Sequence, residues 1–276
     1  MVKHFHLRLW MPVFILFSFV SCSENIFGYI VTTDLDERLK AADTFIFLDD
    51  RDLNTDFGDE YSFIVVADTH IENNNAYGLE KLKDLTGNPE NNIAFVAITG
   101  DITFRSRPGE LERFIEISKS FGVPTYPIIG NHDVFFNNWP IWRDLIGSTR
   151  YRVNGGDTTL LILDSASSFL GNDQLVWLER QLETTVGNRV FVFSHTNLFI
   201  GRPVGIPLQT DTRERARLIS ILRGRCDIMF TGHSHENLSR ETGGVKFLTI
   251  NSLRYSSIYY VVSVTKEGVT YRQEKL

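Results

Sequence analysis

From residue 61 onward, short runs rich in Val, Ile and Phe alternate with stretches whose apolar residues recur every three or four positions. That alternation is the pattern of an α/β domain. The runs predict strands at 62–67, 93–99, 125–129, 160–163, 189–193 and 227–231. Between them, Leu111, Phe114, Ile115 and Phe121 mark one helical stripe, and Leu175, Leu178 and Leu182 mark another, opened by the cap candidates Asn172 and Asp173. After residue 244 the runs 245–250, 258–264 and 269–271 follow one another, with Glu267-Gly268 as a turn, so the fold is expected to finish in an antiparallel segment. Before residue 61 the pattern is weaker: a helix is predicted from Asp34, with Glu37 at capping-box spacing and Leu35, Leu39 and Ala42 on one side. The acidic stretch 49–60 does not scan as a calcium loop. Started at Asp50, it puts Thr55 where the sharp turn needs Gly and Tyr61 where the site needs Glu, which leaves a solvated acidic loop. With no internal repeat and no Pro/Gly/Ser linker, a single domain over 61–276 is expected, preceded by an extension at 23–60.

Composition agrees with a folded chain. Hydrophobic residues make up 42% of the 276 positions and aromatics 12%, led by 21 Phe, which excludes disordered, collagen-like and coiled-coil classes. The 28 basic and 34 acidic residues leave a net charge of −6 without any Lys/Arg block, which argues against nucleic acid as a partner. The two cysteines, Cys22 and Cys226, build no disulfide framework and neither has Cys-x-x-Cys spacing. Any metal site must therefore use nitrogen and oxygen ligands. Cys226 opens the apolar run 226–230, where a small buried hydrophobe is the plain reading.

The first 22 residues read as an export signal. Lys3 and Arg8 precede the apolar stretch 11–20 without an acid, and the small cluster Ser21-Cys22-Ser23 follows. The apolar core is about a dozen residues, short of the roughly 20 that span a bilayer. Phe19-Val20-Ser21-Cys22 resembles a bacterial lipobox, in which cleavage precedes a lipidated cysteine, although Phe19 stands where that motif prefers Leu. Cleavage after Ser23, which Ser21-x-Ser23 also permits, would instead release a soluble exported protein. The expectation is a membrane-anchored lipoprotein, periplasmic or at the cell surface, lipidated at Cys22. Loss of Lys3 and Arg8 with the leader takes the charge from −6 to −8.

The chemistry gathers just beyond the predicted strands. The chain after the leader holds five histidines, at 70, 132, 195, 233 and 235, each in a polar or small context past a strand end. Asp68-Thr69-His70 follows the first strand, Gly100-Asp101 the second and Gly130-Asn131-His132-Asp133 the third; His195 and Gly232-His233-Ser234-His235 follow two later ones. Carboxyl ends of strands line the crevice of open α/β sheets, so the five segments are expected to converge.

In order and content these blocks resemble the calcineurin-like metallophosphoesterase superfamily, whose pattern is D-x-H, G-D, G-N-H-D/E, H and G-H-x-H. Gln174-Leu175-Val176-Trp177-Leu178-Glu179 is similar to a helix common in the branch containing class III cyclic-nucleotide phosphodiesterases. The resemblance covers residues 62–250. It implies a four-layer αββα sandwich, two mixed β-sheets flanked by helices. It also implies two divalent metal ions, for which imidazole, carboxylate and amide ligands suit Fe, Mn, Zn or Co. By that resemblance Asp68, His70 and His235 hold the first metal, Asn131, His195 and His233 the second, and Asp101 bridges them. A hydroxide held between the metals would attack phosphorus. His132 would face the substrate as proton donor or charge stabiliser, oriented by Asp133.

Other readings stay open. Asp68, Asp101 and Asn131 could be helix caps after strands. Arg105 and Arg107 could clamp a substrate phosphate or be merely solvated. Phe135, Phe136, Trp139 and Trp142 could stack a nucleobase or pack a short helix. Gly100-Asp101-Ile102-Thr103-Phe104-Arg105-Ser106 departs from the G-D-x-x-D-R-G of protein serine/threonine phosphatases at Phe104 and Ser106, which points away from phosphoproteins. The loop from Gly201 to Pro207 is either a substrate-gating lid or a surface excursion. The expected substrate is a small-molecule phosphodiester or phosphomonoester, nucleotides included. The alternatives are a pyrophosphate hydrolase acting on a nucleotide-linked lipid, and a surface lipoprotein whose metals are structural.

Overall fold

Alternation within the strands decides the architecture. Phe63, Val65, Phe95 and Ala97 lie on one side of the first two strands and Ile64, Val66, Val96 and Ile98 on the other, all fully buried. A strand buried on both faces must lie between two other layers. The computed structural model, which describes residues 35–43, 53–185, 189–199 and 212–276, places it so. Cys22 with its leader and the loop 201–207 lie outside the described residues.

The strands among the described residues are β1 (Tyr61–Val66), β2 (Ile93–Thr99), β3 (Thr125–Ile128), β4 (Tyr151–Gly155), β5 (Thr158–Ile162), β6 (Arg189–Phe193), β7 (Ile228–Thr231), β8 (Leu238–Thr242), β9 (Val245–Thr249), β10 (Ile258–Thr265) and β11 (Gly268–Lys275). They form two mixed sheets, in the orders β11-β10-β1-β2-β3 and β4-β5-β6-β7-β9-β8. In the first, β1, β2 and β3 are parallel; in the second, β5, β6, β7 and β9 are parallel. The sheets face one another through a phenylalanine-rich core. Phe63 lies 4.5 Å from Phe95 in its own sheet and 5.0 Å from Phe191 in the other, ring centre to ring centre. Among the hydrogen bonds that join the two sheets, two are buried in this core, Tyr61 Oη with Thr158 Oγ1 at 2.6 Å and Tyr151 Oη to the Pro127 carbonyl at 2.8 Å.

The α-helices are α1 (Leu35–Lys40), α2 (Leu82–Thr86), α3 (Pro108–Ser120), α4 (Trp139–Leu145), α5 (Asn172–Glu183), α6 (Thr212–Leu222) and α7 (Leu253–Ser256). Leu111, Phe114 and Ile117 of α3, with Trp139 and Trp142 of α4, cover the outer face of the first sheet. Leu175 and Leu178 of α5, with Leu218 and Leu222 of α6, cover that of the second. The result is the expected four-layer αββα sandwich.

Two local expectations are corrected. The three C-terminal runs do not form one antiparallel segment. β9 belongs to the second sheet, parallel to β7, whereas β10 and β11 are an antiparallel hairpin on the edge of the first. The crossing between sheets is made by α7, closed by Ser257 in the left-handed region (φ 58°). Helix α5 is not capped by Asn172 or Asp173. Asn172 is already helical, and Glu214 of α6 accepts the backbone N–H groups of Leu170 and Gly171, at 2.9 and 2.7 Å.

The segment before β1 is part of the packing. Leu35 and Leu39 of α1 are buried, and Phe57 enters the inter-sheet core 4.8 Å from Phe95. Arg38, fully buried between them, pairs bidentately with Asp164 just after β5, at 2.7 and 3.0 Å. Cys226 is buried as expected.

Candidate metal centre

All five motif blocks end up at the carboxyl ends of parallel strands, and they meet where the two sheets face each other. Asp68 and His70 follow β1, Asp101 follows β2, and Asn131 and His132 follow β3, all in the first sheet; His195 follows β6, and His233 and His235 follow β7, in the second. The loops interlock by backbone hydrogen bonds, Asp68 N to Gly100 O at 3.1 Å, His70 N to Asp101 O at 2.9 Å and Gly232 N to His195 O at 2.9 Å. So tight a meeting forbids side chains at the motif glycines. A Cβ on Gly100, which sits at φ 86°, would strike the His195 ring, and one on Gly130 would strike Asp101. Five of the seven predicted ligands, Asp68, His70, Asp101, His233 and His235, themselves have positive φ between 43° and 72°. Non-glycine residues rarely sit there, and such strain collects at functional sites.

The side chains fall into two groups sharing Asp101. In one, His235 Nε2 is 3.2 Å from Asp68 Oδ1 and 3.3 Å from His70 Nε2. In the other, His195 Nε2 lies 3.1 Å from Asn131 Oδ1, 3.2 Å from Asp101 Oδ1 and 3.0 Å from His233 Nδ1. Asp101 stands between them, its second oxygen 3.9 Å from His70 Nε2. His195 Nδ1 lies 2.9 Å from the Thr99 carbonyl, so that nitrogen carries a proton and Nε2 is the one turned inward, able to offer a lone pair once its own proton is displaced. Two carboxylates, an amide oxygen and imidazole lone pairs thus converge on one space, while His70 Nδ1 and His233 Nε2 are buried without a hydrogen-bond partner. A set of acceptors facing one another calls for cations, and nitrogen and oxygen donors of this kind suit first-row transition metals.

Electrostatics points the same way. Burial holds His70 and His233 well below the ordinary histidine range, keeping them neutral and able to donate lone pairs. Burial also opposes ionisation of Asp101, yet the imidazoles of His195, His132 and His70 hold its carboxyl well below the usual range. Burial pushes His195 down, but Asp101, Asp68 and the Thr99 carbonyl outweigh it and raise the ring to about 9. The proton held there is the one a cation displaces.

His132 is buried with its Nε2 3.9 Å from Asp101 Oδ2. The expectation that Asp133 orients it is corrected. His132 Nδ1 pairs with the Phe104 carbonyl at 2.8 Å, whereas the Asp133 carboxylate accepts the N–H groups of Ile102, Thr103 and Gly130 and the Thr103 hydroxyl, at 2.8–3.2 Å. Asp133 therefore ties the second and third motif loops together. Burial, with the neighbouring Asp101 charge, lifts its carboxyl to about 7. Arg105 and Arg107 are exposed and make no hydrogen bond or ion pair with the cluster; Arg105 lies over the Phe104 ring at 5.4 Å, and Arg107 reaches Asn73 at 3.4 Å. Trp139 and Trp142 are core residues, Phe135 packs on His132 at 4.2 Å, and Phe136 alone of the four is exposed.

Sequence reading missed Ser252 and Arg254. The Ser252 hydroxyl donates to the Asp68 carbonyl at 2.8 Å, and Arg254 donates to the His70 carbonyl at 3.2 Å. No motif in the sequence around them signals this role.

The sequence profile of the calcineurin-like phosphoesterases matches residues 61–237. The chain belongs to that family. A Rhodopseudomonas palustris protein named "Probable cyclic nucleotide phosphodiesterase" is 26% identical over 227 residues, covering 73% of this chain and 81% of its own. Among solved structures, a dimetal phosphatase from Danio rerio superposes with a TM-score of 0.62 at 14% identity, over 77% of this chain and 95% of its own. Purple acid phosphatase PPD1 from yellow lupin (Lupinus luteus) gives 0.61 at 12%, over 79% and 52%. These similarities carry the fold, and the family makes this chain a metal-dependent phosphoric ester hydrolase whose clustered His and Asp side chains can bind metals.

Proposed function

We propose that this hydrolase acts on small-molecule phosphodiesters and phosphomonoesters, nucleotides included, at a binuclear centre. Asp68, His70 and His235 would hold one divalent cation, Asn131, His195 and His233 the other, and Asp101 would serve both sites. The observation that carries the reading is the position of Asp101 between two acceptor groups, each drawing side chains from both sheets. Bound divalent cations supply charge neutralisation on the phosphoryl oxygens and a water acidified to near neutral pH. The chain's own residues fix that chemistry in place. Thr99 sets the His195 tautomer, Asp133 keeps the Asp101 and Asn131 loops in register, and His132, its Nδ1 satisfied by Phe104, presents Nε2 as the proton donor to a leaving oxygen. The diesterase part is supported by the name of the Rhodopseudomonas relative. Elemental analysis of purified protein, paired with chromogenic phosphodiester and phosphomonoester substrates, tests the proposal. Chelation should abolish turnover, and Mn, Fe, Zn or Co should restore it. Metal-replete protein that turns over none of these esters would favour the non-catalytic metal-bearing alternative.

We also propose export and lipid anchoring through Cys22, supported by Lys3, Arg8, the apolar stretch and the lipobox-like Phe19-Val20-Ser21-Cys22. No helix among the described residues is long and apolar enough to cross a membrane. The mature chain should begin at Cys22 with acyl chains attached, and Cys22→Ala should release it from membranes. An intact mass for an unmodified chain starting at Glu24 would overturn this.

A further inference from the structure

Three large apolar side chains are strongly exposed among the described residues, Phe136 (62%), Tyr255 (61%) and Phe169 (44%). Of these, Tyr255 is the one whose ring meets predicted metal ligands, 5.3 Å from the His235 ring and 6.1 Å from the His70 ring. Its exposure does not come from a loose segment. Helix α7 is fastened to the loop carrying Asp68 and His70 by Ser252 Oγ to Asp68 O, by Leu253 N to Ala67 O at 2.8 Å and by Arg254 Nη1 to His70 O. Arg254 is held in turn by Glu72 at 2.9 Å, and its guanidinium lies over the rings of Tyr77 (4.3 Å) and Phe104 (4.4 Å). The helix is anchored by Leu253, which is fully buried, so the fold needs no large ring at the next position but one.

From this we infer that Tyr255 is a substrate-binding residue that stacks a planar aromatic group, a nucleobase or aryl ring, of the phosphoester held at the metal centre. The inference rests on the function proposed above and names the class of group beyond the phosphate. A phosphoryl group at the cluster must send its organic part out past exposed surface, and Tyr255 is the large exposed ring beside His235 and His70. Three features select a flat π system over an alkyl chain. The ring has faces and edges of opposite partial charge. The Arg254 guanidinium lies 5.4 Å from its centre and extends the stack with a cation. A ring carried on an anchored turn needs no ordering of its backbone on binding. Stacking of this kind is tolerant of base identity, so discrimination among bases is expected to be slight.

The test compares two hydrolysis-resistant probes that share a phosphonate and differ by a base, the methylenephosphonate analogues of adenosine 5′-monophosphate and of ribose 5-phosphate. They are titrated calorimetrically into the metal-loaded full chain. Wild type should bind the adenosine probe tighter by about tenfold or more, the scale of one base stacked on one aromatic side chain. In Tyr255→Ala the preference should fall to within about twofold, and Tyr255→Phe should keep it, since the face is retained and the hydroxyl lost. Metal loss in a variant would weaken both probes together and leave the ratio untouched. Equal binding of the two probes by wild type, a preference surviving in Tyr255→Ala, or one lost in Tyr255→Phe would each overturn the inference. Failure of the underlying function looks different: a base preference that depends on Tyr255 in a metal-replete protein that hydrolyses no ester.

Discussion

His132 shows how near two roles can lie in one ring. Its Nε2 stands 3.9 Å from Asp101 Oδ2, the same distance as His70 Nε2, and the three residues form a group tight enough to ligate an ion. Their other nitrogens differ. His132 Nδ1 is engaged with the Phe104 carbonyl, while His70 Nδ1 has no hydrogen-bond partner. That difference does not assign the roles, since His195, an expected ligand, also holds a carbonyl through Nδ1. If His132 serves as proton donor, His132→Ala should keep the metal content of wild type. It should lose about 10²- to 10⁴-fold on alkyl or nucleoside esters, whose leaving oxygens need a proton, and much less on nitrophenyl esters. His195→Ala or His233→Ala should instead lose metal and slow both kinds of ester alike. An emptied metal site in His132→Ala would make it a ligand; equal slowing with metals intact would make it a charge stabiliser. Asp133 carries the residue-scale lesson in reverse. Adjacent to His132 in sequence, it is spent on the backbone of two other loops, because a buried carboxylate takes the N–H groups within reach and sequence adjacency does not choose them.

At the scale of elements, legibility follows burial. The runs at 93–99 and 189–193 coincide with β2 and β6, strands in the interior of their sheets whose residues are almost all apolar. β4 and β8 were invisible, and both are edge strands. β8, Leu238-Ser239-Arg240-Glu241-Thr242, has four exposed residues and no apolar alternation, as a free edge favours. Four-residue α7 has no period to read, and the partners of Ser252 and Arg254 lie more than 180 residues away in the chain. The candidate metal ligands are legible for a different reason, since they follow strand ends and most of them stand in short local blocks such as Asp68-Thr69-His70 and His233-Ser234-His235. Helix α1 lies between these cases. Its stripe, Leu35 and Leu39, includes Arg38 at the intervening i+3 position, and a charge inside an apolar stripe needs a buried counter-charge that only the fold supplies, here Asp164. Arg38→Ala leaves that carboxylate buried and unpaired, so it should lower unfolding stability by about 3–5 kcal/mol. Urea denaturation measures this, and a shift within about 0.5 kcal/mol would mean that α1 is merely appended.

For the whole molecule, the consequential fact is that the candidate centre straddles the sandwich. Asp68, His70, Asp101 and Asn131 come from the first sheet and His195, His233 and His235 from the second, so cations there would join two layers otherwise held by apolar packing and a few hydrogen bonds. A ligand that binds only the folded state stabilises it by RT ln(1 + [L]/Kd), about 2.7 kcal/mol per site at a hundredfold excess over Kd. For a domain of this size that corresponds to a rise in Tm of about 5–10 °C for each site filled. The chelated protein should therefore melt well below the metal-loaded one, independently of any substrate. Asp101→Asn bears on the same point. Losing a carboxylate shared by both groups should weaken both sites, so the variant should bind less metal, show little thermal shift on adding it and have essentially no turnover. Differential scanning calorimetry with and without Mn, alongside elemental analysis, reads all but the turnover. If wild type and Asp101→Asn gained the same increment from metal, the cations would be binding elsewhere on this acidic surface, and Asp101 would have to lose its place between the two groups.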